Sequence, residues 1–240
     1  MAILSLRNLV KNYRGRDVVK SVNIQIESGS VIGLLGPNGA GKSTTFYMAV
    51  GMVRPDGGQV YLNDEEITQL PMYLRSRKGL GYLPQDTSVF RKLTVKENVM
   101  AILEMLPLSK ARQNKRADEL LEELGIRRLA DQKAGVLSGG ERRRLEITRA
   151  LATKPSFILL DEPFAGIDPL AVADIKKIIM QLREKGIGLL ISDHNVRETL
   201  GVCDKAYILS DGEIVESGSP GKIASSKTAA RVYLGDEFKL

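Results

Sequence analysis

The chain has 240 residues, 43% of them hydrophobic, a formal net charge of +6 and a single cysteine, Cys203. That is enough apolar material for one large α/β domain or two small ones without staples, and one cysteine cannot make an internal disulfide. No apolar run approaches the roughly 20 residues of a spanning helix, and no leader pattern precedes the first strand, so the expectation is a chain in a reducing cytoplasm that does not itself cross a membrane.

In chain order, alternation in AILSLRNLV, SVNIQIES and GQVYLND predicts strands of an antiparallel opening segment. VIGLLG, LGYLPQ, SFILLD and GIGLLIS are continuous apolar runs, the pattern of parallel strands covered on both faces. Between residues 86 and 151 buried-strand signals stop. Ala117, Leu120, Leu121 and Leu124 fall at helical spacing there, with Gly125 as a stop. A further helix is expected over 169–185, with Asp168 as N-cap, Pro169 in the first turn and Gly186 at the end. The reading is a single domain: an α/β core over 1–85 and 152–220, a helical subdomain over 86–151, and a tail over 221–240 made of a short helix and a polar end.

The positive charge raises the question of nucleic acid, but residues 86–133 hold ten basic and eight acidic side chains, interleaved, without the aromatics of a stacking platform. No nucleic-acid partner is expected. Arg142, Arg143 and Arg144 form the densest basic patch, read as the exposed face of a helix.

GPNGAGKS, running from Gly36 through Pro37, Asn38, Gly39, Ala40, Gly41 and Lys42 to Ser43, with Thr44 next, fits a phosphate loop between a strand and a helix. Its glycines let successive amides turn inward, the helix start adds positive potential, and Lys42 reaches the outer phosphates of ATP. Ser43 is a candidate ligand for Mg2+. Asp161, after four apolar residues in FILLDEP, would hold the same metal, and Glu162 would polarise the attacking water. The alternative for Glu162 is a structural salt bridge. His194, the only histidine, ends the next strand and is placed to hold water and terminal phosphate, while the amide of Gln85 would touch the metal.

A second glycine pair follows in VLSGGERRRLEI. Ser138, Gly139 and Gly140 can grip an anion, yet no lysine or carboxylate completes a second site. Two copies head to tail would resolve this, each closing over the nucleotide held by the other.

Together, GPNGAGKS, Gln85, LSGGE, FILLDE, GIDP and His194 resemble the ATP-binding subunits of ATP-binding-cassette transporters over essentially the whole chain. The resemblance implies a P-loop NTPase core of RecA type with an antiparallel β-subdomain and an inserted helical subdomain. It implies that Tyr13 stacks on adenine, that Ser138, Gly139, Gly140 and Glu141 act across a homodimer, and that Asp168 lies in the loop linking the two sites. Glu141 stands where many members carry glutamine. LSGGERRRLEITRAL, DEPFAGIDP, SDHNVRETL and RVYLGDEF are closer to the lipopolysaccharide-exporting branch. That branch implies a pair on the cytoplasmic face of a Gram-negative inner membrane, beneath the membrane subunits LptF and LptG with LptC associated. In that setting Phe90 and Arg91 would line a groove for those subunits. An importer ATPase, such as one for branched-chain amino acids, and a nucleic-acid or ribosome-acting cassette ATPase are the rivals. Only 96 positions separate Lys42 from Ser138, too few for the long coiled-coil insertions of chromosome-maintenance members.

Overall fold

The computed structural model describes residues 1–235 and Phe238. Strands β1 (Ile3–Tyr13), β2 (Arg16–Glu27), β4 (Gly57–Leu62) and β5 (Glu65–Glu66) form an antiparallel sheet in the order β2-β1-β4-β5. The second sheet has the order β10-β9-β3-β8-β7-β6, from β3 (Val31–Leu35), β6 (Leu80–Leu83), β7 (Phe157–Asp161), β8 (Gly188–Ser192), β9 (Lys205–Ser210) and β10 (Glu213–Gly218). All neighbours in it are parallel except the β9–β10 hairpin at the edge.

β3, β7 and β8 are buried along their whole length, which is why their sequences are unbroken apolar runs. Their alternate residues serve two cores. Phe157, Leu159 and Leu190 face one shared with Leu4 and Ile24 of the antiparallel sheet and with Phe46 of the helix after β3. Ile158, Leu160, Leu189 and Ile191 face another, built with helices.

The helices are α1 (Lys42–Val50), which packs into the first core, the short α2 (Met72–Arg77), and α3 (Val95–Leu103), α4 (Lys110–Glu123) and α5 (Gly139–Leu151) of the insertion, which pack into the second. α6 (Pro169–Glu184), α7 (Val196–Leu200) and α8 (Pro220–Ser225) follow. Capping chemistry sets the starts: Thr94 and Glu97 close a reciprocal box on α3, and the Asp168 carboxylate accepts from Ala171 N at 2.9 Å on α6. Val95, Leu120 and Leu145 from the insertion join the same apolar cluster as β7 and β8, so the insertion has no separate core.

Three features depart from the sequence reading. The β9–β10 hairpin was not anticipated, although Asp211 (φ 47°) and Gly212 (φ 83°) form the left-handed pair that such a turn requires. The short helix α2 was also missed, its six residues lacking a periodic stripe. At the tail, Lys227–Ala229 runs into a π-helical turn, Ala230–Leu234, and Tyr233, Leu234 and Phe238 pack on the core, so this stretch is not simply polar. Asp236, Glu237, Lys239 and Leu240 lie outside the described residues.

Candidate functional site

Four adjacent parallel strands, β3, β8, β7 and β6, end on one edge of the six-stranded sheet. In sheets of this kind ligands bind beyond the carboxyl ends of the strands. The loop after β3 leads into α1, β8 delivers His194, β7 delivers Asp161 and Glu162, and β6 delivers Gln85. Val18, Asn38, Gly39, Gly41, Lys42, Ser43, Thr44, Gln85, Glu162 and His194 line one cleft of about 700 Å3.

The loop is shaped by what surrounds it. A Cβ on Gly36 would lie 2.0 Å from Leu209 O, and one on Gly41 2.5 Å from Val18 O, whereas one on Gly39 would meet nothing within 4 Å. Two glycines therefore allow the loop to pack on the protein, and the third leaves its backbone open to the cleft. Lys42 Nζ donates to Gly36 O at 2.7 Å and Pro37 O at 3.0 Å. Burial lowers its pKa, opposed by the charges of Glu162, Asp161 and Asp193.

Asp161 is 2% exposed, and burial, then the neighbouring Glu162 charge, pushes its carboxyl up to about 6. Tyr82 donates to its Oδ2 at 3.5 Å. Glu162 occupies the left-handed region at φ 47°, uncommon for a residue with a side chain, and its N–H donates to Ser192 O at 2.6 Å. Gln85 Nε2 donates to Glu162 Oε2 at 2.9 Å, and His194 Nδ1 lies 3.4 Å from the same oxygen. Beneath His194, the fully buried Asp193 carboxylate accepts from Phe164 N at 2.9 Å and Asn195 N at 2.8 Å, and burial raises its pKa. The chemistry of the donor set fits a hard cation: the Ser43 hydroxyl, the Gln85 amide and the Asp161 carboxylate would offer oxygen donors beside the Glu162 carboxylate.

Arg143 corrects the reading of the basic patch. It is 6% exposed, and its guanidinium donates to Pro84 O at 3.1 Å and to Asp161 O, Glu162 O and Glu146 Oε2, each at 3.0 Å. Arg142 donates to Leu137 O and Arg144 to Asp174, both arginines only partly buried, so of the three it is Arg143 that turns inward. Glu146 also accepts from Ser88 N at 2.9 Å. Helix α5 is thereby tied to the strand ends that carry Gln85 and Glu162, a role no run of arginines announces.

Ser138, Gly139, Gly140 and Glu141 open α5 away from this cleft. Ser138, Gly140 and Glu141 line a separate pocket with Asp168, and none of its lining residues lines the first. A Cβ on Gly140 would come within 2.7 Å of Ala171 Cβ, so the absence of a side chain lets α6 approach. Glu141 folds back: its Oε2 accepts from Ser138 Oγ at 2.9 Å and Ser138 N at 3.1 Å, and Arg128 lies 3.5 Å from its other oxygen.

Tyr13, 44% exposed at the end of β1, is not among the residues lining the cleft, and Lys11 Nζ stands 5.4 Å from its ring centre. Phe90 is 46% exposed, and the Arg149 guanidinium stands 4.7 Å from its ring centre. Its backbone is held by the fully buried Asn98, while Arg91 O accepts from Gly135 N at 3.0 Å.

This arrangement has counterparts of known family. The ABC transporter model matches residues 19–165, and the chain belongs to that family as one of its ATP-binding ATPase subunits. Among its relatives, the lipopolysaccharide export system ATP-binding protein LptB of Acidithiobacillus ferridurans is 56% identical, covering 99% of both chains. LptB of Escherichia coli K12 is 54% identical over the full length of both. An ABC-transporter ATP-binding cassette in its ADP conformation superposes with a TM-score of 0.87 at 31% identity, over 98% of this chain and 100% of that one. A dimeric post-hydrolysis cassette bound to ADP and phosphate gives a TM-score of 0.79 at 28% identity, over 90% and 98%.

Proposed function

We propose that this chain hydrolyses ATP as the paired engine of a lipopolysaccharide exporter, held on the cytoplasmic face of a Gram-negative inner membrane by LptF and LptG with LptC associated. The observation that carries the export assignment is identity of 54–56% with LptB proteins along the whole chain.

Residues 36–44 take the phosphates through loop amides and Lys42, which exchanges its loop carbonyls for phosphate oxygens. Ser43, Gln85 and Asp161 hold Mg2+, which supplies charge neutralisation on the phosphates when bound. Glu162 accepts the proton of the attacking water, and Gln85 and His194, both facing Glu162 Oε2, keep the carboxylate aimed. Tyr13 stacks on the base. Because the pocket of Ser138, Gly140 and Glu141 is separate from the phosphate cleft of its own chain, the second copy brings it to bear, with Asp168 at the seam. Closure and release of the pair then move the loop bearing Phe90 and Arg91 against the membrane subunits.

Purification from membranes in mild detergent, with identification of the co-purifying subunits, tests the assignment. LptF, LptG and LptC are expected; a pair of importer permeases would overturn the export reading and leave the ATPase intact. A mixed pair carrying Ser138→Arg in one copy should lose hydrolysis at the site formed with the intact partner's phosphate loop. Full activity at that site would overturn the sharing.

A further inference from the structure

Helix α1 carries the phosphate loop at its start, and one side chain from another segment holds its far end. Arg75, on α2, is 1% exposed. Its guanidinium donates to Met48 O at 2.7 Å and Ala49 O at 2.6 Å in the last turn of α1, and to Thr68 O at 2.7 Å and Leu70 O at 2.8 Å ahead of α2. All four partners are backbone carbonyls. Two belong to the negative end of the α1 dipole, where otherwise unpaired carbonyls favour a cation. Burial brings the guanidinium down to about 10, which leaves it charged at neutral pH.

The turn is cut to admit it. Gly51 closes α1 at φ 84°, and a Cβ there would stand 2.7 Å from Arg75 Nε and 2.9 Å from Leu70 O. At the opposite end, Gly212 N donates to Ala40 O at 3.1 Å and Thr45 Oγ1 to Gly41 O at 2.9 Å. A nine-residue helix is a rod of roughly 13 Å, so tilting one end displaces the other.

We propose that Arg75 is a positioning residue for nucleotide binding: by riveting the end of α1 to residues 68–70, it sets where the amides around Gly41 and the Lys42 ammonium meet phosphate. This rests on the reading of residues 36–44 as a nucleotide loop. By linkage, nucleotide must tighten the rivet as much as the rivet favours nucleotide.

Arg75→Lys keeps the charge but not the planar fork, and Arg75→Met removes both. ATP affinity is measured without Mg2+ on the full chain, well below the melting temperature of each variant, beside steady-state hydrolysis. The expected result is a Kd raised about tenfold for Lys and further for Met, with kcat at saturating ATP within about twofold. A lowered Tm with Kd within about twofold of the parent would make Arg75 a stability residue only and overturn the proposal. Hydrogen exchange on the unaltered chain provides a check that needs no variant: ATP should slow residues 68–75 together with residues 46–52. Protection confined to residues 36–45 would overturn the proposal equally. A parent chain that bound no ATP at all would instead defeat the nucleotide reading itself.

Discussion

Gln85 Nε2 donates to Glu162 Oε2 at 2.9 Å across the ends of neighbouring strands, and His194 Nδ1 lies 3.4 Å from the same oxygen. In the proposed mechanism this carboxylate takes a proton from water, and the two side chains that contact it come from separate strand ends. Glu162→Gln should retain ATP, accumulate a closed pair and lose about 10²–10⁴-fold in turnover. Binding and single-turnover hydrolysis measured side by side check this; turnover equal to the parent would remove Glu162 from the role.

Asp161 gives a prediction in the opposite direction, for stability. Its folded pKa of about 6 lies above the 3.8 of an ordinary aspartate, so the folded chain binds a proton that the unfolded chain releases. Stability from this group is full below the unfolded value and is lost as pH rises through about 6; at neutral pH the loss is on the order of 2–3 kcal/mol. Asp161→Asn should therefore unfold at higher urea than the parent at pH 7.5, with the advantage shrinking towards pH 5, while hydrolysis is abolished. Urea titrations without nucleotide at both pH values decide it, and an advantage independent of pH would contradict the assignment.

Arg143 is a buried cation satisfied by three carbonyls and the Glu146 carboxylate. Arg143→Met leaves Glu146 buried without that charge, at a cost of about 3–5 kcal/mol. The double variant Arg143→Met with Glu146→Leu should regain much of that loss in chemical denaturation, because no lone charge remains. Hydrolysis should stay low in both, since the carbonyls behind Asp161 and Glu162 have lost their donor.

Phe90 is half exposed, and its removal should leave the fold within about 1 kcal/mol of the parent. Phe90→Ala is expected to hydrolyse ATP as an isolated chain and to fail in co-purification with the membrane subunits. Intact co-purification would take Phe90 out of the groove.

What was legible in the sequence is what local chemistry dictates. Asp168 and Pro169 start a helix because a carboxylate there meets free amides, and β3, β7 and β8 announce themselves because burial on both faces forbids polar residues. Gln85, Asp161, Glu162 and His194 lie at or just beyond strand ends as their apolar runs imply, yet the approach of Gln85 and His194 to Glu162 depends on strand order. Arg75 and Arg143 were illegible: an arginine in a charged or mixed stretch reads as surface, and only the packing of distant carbonyls around it compensates its burial. The β9–β10 hairpin is a different case, since Asp211 and Gly212 carried a usable turn signal between apolar runs.

That hairpin bears on the order in which the molecule is made. β9 pairs with β3 and places Leu209 O against Gly36, Gly212 N donates to Ala40 O, and Lys20 N donates to Gly212 O at 2.8 Å. A ribosome releases residues 36–44, and the Val18 carbonyl that Gly41 packs against, well before the wall formed by β9 and its following turn. An emerging polypeptide therefore carries the whole motif long before Leu209 and Gly212 arrive to complete its cradle.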